Sequence, residues 1–117
     1  MYRTVIKVCI VTLLIFSCSD RSKNINDLLK SNDTDKLVEA FYLIGEKRDT
    51  NYIKYIFENP IDARVSNKLK FKGISVYQSK MTAIKKITGI SPPNVITYIP
   101  DPTIVAFYSK IVKEKQY

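Results

Sequence analysis

The chain holds only two thiols, Cys9 and Cys18, and no imidazole. That inventory decides much of the available chemistry. Without histidine there is no Ser-His or Cys-His pair and no imidazole ligand for a metal. A zinc site would need carboxylates or thiols alone, which is an uncommon set. The three glycines stand apart, so no glycine-rich phosphate loop is formed. Ser75 and Ser79 lie near Lys80 and suggest a Ser-Lys dyad, but a serine at a helix start far more often caps it. Glu39, Glu46, Asp49 and Glu58 are the acids on hand for a carboxylate pair, yet they fall in or beside helix positions that face water. We therefore expect no catalytic residues, no cofactor, no metal and no small-molecule substrate.

Cys18 carries the clearest chemical signal. Arg3 and Lys7 make a short positive start, and Val8 to Phe16 (VCIVTLLIF) is apolar apart from Thr12. A spanning helix needs roughly 20 apolar residues, so this run is too short for a lasting transmembrane anchor and suits a signal-peptide core. The positive flank favours leaving the start of the chain in the cytoplasm. The run ends Ile15-Phe16-Ser17-Cys18, which resembles the lipobox of bacterial lipoproteins. It departs from the commonest form at Ile15, where leucine is usual, and at Phe16, where a small residue is usual. The resemblance implies a diacylglyceryl thioether on Cys18, cleavage after Ser17 and acylation of the freed amine.

The chain then divides into a signal peptide at 1–17, a lipidated tether at 18–24 and a domain at 25–117. Cys9 would leave with the signal, so the domain has neither a disulfide nor a free thiol and must rely on its packed core. Two or more acyl chains anchor stably, at about 0.8 kcal/mol per buried methylene. By the same resemblance, Ser19 after the lipidated residue favours the outer membrane over the inner one, although Asp20 follows. The expected place is the bacterial cell envelope, with the membrane reached through Cys18.

Composition adds a second theme. With 45% hydrophobic and 26% charged residues, the chain is an ordinary globular one. Its formal charge is +8, and removing Arg3 and Lys7 leaves +6. From Ala63 to Pro100 there are seven basic residues (Arg64, Lys68, Lys70, Lys72, Lys80, Lys85 and Lys86) and no acid. Lys68-Leu69-Lys70-Phe71-Lys72 alternates charge with apolar side chains. One reading is a solvated surface that keeps a small protein soluble. The sharper one is a patch that faces acidic lipid headgroups, an acidic partner or a polyanionic envelope polymer. Basic residues with aromatics are also a nucleic-acid footprint. Export takes nucleic acid out of reach, so none is expected.

The elements that must position these residues read as helices. Asn24 can cap a short helix at 25–30, and Asn32 to Asp35 is a turn that can cap the next. Asp35 to Arg48 places Leu37, Phe41 and Ile44 at i, i+4 and i+7. A second helix is expected at 51–58, stopped by Asn59-Pro60. Residues 61–73 lack a period and read as a loop, with 68–71 as a candidate extended stretch. Ser75 can cap a helix to Thr88, ended by Gly89. Val95 to Ile99 is β-prone but bounded by Pro100 and Pro102. Thr103 can cap a last helix to about Lys115. Tyr52, Tyr77 and Tyr108 fall on apolar stripes, whereas Tyr42 and Tyr55 fall off them and suit an interface.

The stretch Asp35 to Asp49 resembles a HEAT-like helical repeat, with Ala40, Leu43-Ile44-Gly45 and Asp49 in the characteristic places. Asp62 to Val65 and Ser75 to Gly89 would supply a second unit, interrupted by an insertion at 66–74. The expected fold is all-α: a short HEAT-like array of about two repeats plus a C-terminal helix, or a generic small helical bundle. The expected role is a non-catalytic interaction or scaffold domain for an envelope protein partner.

Overall fold

Helix formation starts where the turn chemistry places it. The computed structural model describes residues 25–117, so Ser17, Cys18 and the expected signal peptide and tether lie outside the described residues. Residues 25–30 form α1. Helix α2, Thr34–Lys47, is capped by Asp33, whose carboxylate accepts the Lys36 N–H at 3.3 Å. Asp35 adds negative charge at the positive end of its dipole. The helix ends at Arg48 in the left-handed region, φ 49°. There the Arg48 and Asp49 N–H groups bond back to the Gly45 and Ile44 carbonyls.

The remaining helices are α3, Ile53–Ile56, α4, Val76–Thr88, and α5, Pro102–Lys115, with 3₁₀ turns at Thr50–Tyr52 and Leu69–Phe71. Among the described residues there is no strand, only one antiparallel bridge between Val65 and Ser75. The molecule is a small all-helical bundle. Its core joins Phe41 and Ile44 of α2, Ile53 and Ile56 of α3, Tyr77, Met81 and Ile84 of α4, and Ile104 and Tyr108 of α5. Ile25 of α1 closes the same core. The Tyr108 hydroxyl donates to the Ile90 carbonyl at 2.7 Å, and burial pushes its pKa up to about 12.

The main helix contact is α2 on α4. Gly45 permits it. A Cβ at that position would stand 3.0 Å from the Ala83 Cα, closer than backbone tolerates without a shift. The geometry does not confirm a HEAT-like pair, because the expected partner helix at 51–58 shrinks to a 3₁₀ turn and the single turn α3. Asp49 caps that 3₁₀ turn through the Asn51 N–H at 3.1 Å, and Asn59 at φ 44° followed by Pro60 ends the segment early.

The loop expected at 61–73 is present, but its candidate extended stretch and the cap of the last helix differ from expectation. The loop at 61–73 is ordered by backbone pairing on its far side. Ser66 N–H donates to Ile74, Gly73 to Ser66, Val76 to Arg64 and Tyr77 to Asp62, all at 2.8–3.0 Å. Its tip is a 3₁₀ turn, not an extended stretch, because Phe71 turns inward onto Val38 and Val76. Val95 to Ile99 makes no strand. Helix α5 is capped by Asp101, not Thr103: its carboxylate accepts the Thr103 N–H at 2.9 Å, and Pro102 takes the first helical position.

Candidate functional site

The seven basic residues of the acid-free stretch do not share one face. Arg64 and Lys80 are tied into the fold. Arg64 forks onto Asp62, with Nη2 2.7 Å from Oδ2 and Nε 3.0 Å from Oδ1. Its Nη1 also donates to the Asn32 carbonyl at 2.9 Å. This holds the Asp62 carboxyl below its ordinary range and locks the loop to the turn between α1 and α2. Lys80 is only 5% exposed. Its Nζ donates to the Glu58 and Asn59 carbonyls just past α3, and lies 5.0 Å from the Phe41 ring centroid. Burial lowers its pKa. Lys80 thus ties α4 to the segment that follows α3 and is not an exposed anion ligand. A cleft of about 320 Å³ runs beside these groups. The Arg64 and Lys80 bonds just described are internal, so their geometry supports a structural role for its ionic walls.

A second set gathers around Tyr42 on α2. Lys68 Nζ bonds Glu39 Oε2 at 2.9 Å. Lys86 reaches from α4 to Glu46, whose carboxyl it holds below the ordinary range. Between those two ion pairs, Lys70 Nζ and Lys86 Nζ lie 5.2 and 5.3 Å from the Tyr42 ring centroid. Glu39, Tyr42 and Glu46 are spaced i, i+3 and i+7, so they line one stripe of α2. The Phe71 ring packs on Tyr42 at 5.3 Å. Lys72 and Lys85 are exposed. Lys85 borders a surface depression against Pro92 and Pro93.

The turn that carries Lys68 and Lys70 is held by Asp35, which sequence reading treated only as a helix-start acid. Asp35 Oδ1 accepts the Ser66 hydroxyl at 2.7 Å, the Asn67 N–H at 2.9 Å and the Lys68 N–H at 3.4 Å. The Ser66 bond is the main reason its carboxyl is held below the ordinary range. Asp35 therefore fixes the base of the turn, and Phe71 fixes its inner side. Leu69 is left pointing outward, 92% exposed.

Beneath Tyr42 lies a cavity of about 70 Å³ between α2, α4 and the turn. Val38, Phe41, Phe71 and Ala83 give it apolar walls, and Tyr42 and Lys86 also line it. Gln78 lines it too. The Gln78 side-chain oxygen is buried and has no hydrogen-bond partner among the described residues. Buried polar atoms are nearly always paired, and this oxygen shares its condition with the Tyr77 hydroxyl of the core.

The groups weighed for catalysis are placed as helix chemistry. Ser75 Oγ accepts the Gln78 N–H at 3.0 Å as the cap of α4, and Ser79 Oγ donates to the Val76 carbonyl at 2.8 Å. Neither hydroxyl bonds the Lys80 amine. Among the described residues, no group of three acids, cysteines or histidines is placed to hold a metal ion. No described helix is long and apolar enough to cross a membrane. Of the residues that build the Tyr42 face, the sequence pointed to Lys68, Lys70, Lys86 and Tyr42 but missed Asp35, Gln78 and the inward turn of Phe71. Comparison with known proteins finds no matching family model, no matching curated protein and no matching solved structure.

Proposed function

We propose that this chain is a lipid-anchored envelope protein whose helical domain binds a protein partner without catalysing a reaction. The observation that carries the binding role is the Tyr42 face. It sets an aromatic ring between two lysine ammonium groups, beside an apolar cavity. Aromatic side chains around an apolar centre are what protein interfaces favour, and charges at the rim select a partner of opposite sign. The tether is supported by Ile15-Phe16-Ser17-Cys18 and the short apolar run before it. Labelled palmitate should enter the parent chain and be absent from Cys18→Ser; label retained in the variant would remove the anchor. A photo-crosslinking residue at position 42 in native cells should trap a defined protein, and the same residue at position 113 should not. Equal trapping at both positions would remove the interface.

A second reading is favoured by one feature. Leu69 stands exposed at the tip of a turn flanked by Lys68, Lys70 and Lys72. An apolar tip ringed by cations suits an anionic bilayer surface, with each lysine worth about 1 kcal/mol near such a surface. Vesicle binding by this route should fall steeply with salt, since charges are screened beyond about 8 Å at physiological ionic strength. Reversing Lys68, Lys70 and Lys72 to Glu should abolish it; unchanged vesicle binding would exclude this route.

A further inference from the structure

We infer that the cavity beneath Tyr42 receives one aliphatic or aromatic side chain of an acidic peptide segment, whose carboxylates meet Lys70 and Lys86. This rests on the interaction-domain reading and names the chemistry of the partner. Three observations converge. The cavity of about 70 Å³ has room for one side chain, and its walls are Val38, Phe41, Phe71 and Ala83. Gln78 also lines the cavity, a polar side chain among apolar walls whose amide group suits a peptide backbone. At the same site Lys70 and Lys86 both lean on Tyr42, and Lys70 has no ion-pair partner among the described residues. The turn adds Lys68. Three lysines against Glu39 and Glu46 leave this face positive, so a complementary segment is acidic.

The alternative explanation is packing alone. Gln78 separates the two. A buried acceptor without a partner destabilises the fold, so Gln78→Leu should raise the melting temperature by about 4–8 °C. If Gln78 serves a ligand, the same variant should bind that ligand less well. Opposite signs in stability and binding mark a residue retained for recognition.

The test is selection of a random dodecapeptide display library against the full chain in detergent. Enriched peptides should set a Leu, Ile, Val or Phe within two residues of Asp or Glu. Synthesised and measured by fluorescence anisotropy, they should bind Lys70→Glu/Lys86→Glu about tenfold more weakly or worse. Ser79→Leu, which fills the cavity from α4, should weaken binding by a similar factor while the far-ultraviolet circular dichroism stays that of the parent. Selection that enriches no such peptides would overturn the inference. So would peptides that bind both variants as tightly as the parent. Phosphatidylglycerol vesicles that bind through Lys70 and Lys86 where no peptide does would replace it with a lipid site. Fatty-acid labelling of Cys18 and crosslinking from position 42 stand or fall separately, so failure here is distinguishable from failure of the tethered-interaction reading.

Discussion

Asp62 and Asp35 show how much a single carboxylate can fix in this fold. Each is held below the ordinary value of 3.8, Asp62 chiefly by Arg64 and Asp35 chiefly by the Ser66 hydroxyl. A lowered carboxyl pKa in the folded state means the unfolded chain binds more protons. The stabilisation is therefore fully present above the unfolded value and is lost as the pH falls through the folded ones. Asp62→Asn should melt below the parent at neutral pH, and the gap should close as the pH drops under 3.8. Melting curves across acid pH check this; a gap independent of pH would mean Asp62 acts by shape alone. These two acids were poorly legible beforehand. The acid-free stretch begins one residue after Asp62, so counting from Ala63 hid the partner of Arg64. Lys68 and Lys86 are matched by Glu39 and Glu46, which lie 29 and 40 residues away in sequence. A local charge count does not register neighbours brought together by folding.

Helices α2, α4 and α5 were legible because each carries an apolar stripe; α2 and α4 also show their boundaries, Asp33 in the 32–35 turn and Ser75 with Gly89, whereas the cap of α5 is Asp101 and not the expected Thr103. Their pairing was not. A 3.6-residue period says which face is apolar but not what covers it. The stretch from Asp35 to Asp49 therefore suggested a hairpin with the following helix, whereas α2 lies chiefly on α4. Gly45 is the physical reason for that choice. Gly45→Ala would gain about 1 kcal/mol of helix propensity. Overpacking against the Ala83 backbone costs about 1–3 kcal/mol, so the net effect should be a loss. Adding Ala83→Gly should not restore stability, because the closest atom is the Ala83 Cα at 3.0 Å. Urea midpoints decide it: rescue by the double variant would show that side-chain crowding, not backbone approach, governs the contact.

At the scale of the whole molecule, one class of residue organises the inside and another the outside. The inside depends on Tyr77, Tyr108 and the aliphatic cluster. The outside is set by lysines held on α2 and by the loop between α3 and α4. Leu69 belongs wholly to the second class. Leu69→Ser should leave the urea midpoint unchanged within about 0.5 kcal/mol, as expected for a surface site. If the second reading holds, it should weaken capture by anionic vesicles. A substantial drop in stability would mean Leu69 is covered in solution.

The segment from Ser66 to Ile74 ends on two feet that are bonded to each other, and the Ser66 foot is bonded to Asp35 as well. The feet, not the arc, thereby carry the path from α3 to α4, while Phe71 seats the arc on Val38 and Val76. Residues can enter or leave near Leu69 without altering the distance that α3 and α4 must span. Change can accumulate at this port while the architecture behind it stands still, and a grafted label there would report on whatever the face meets.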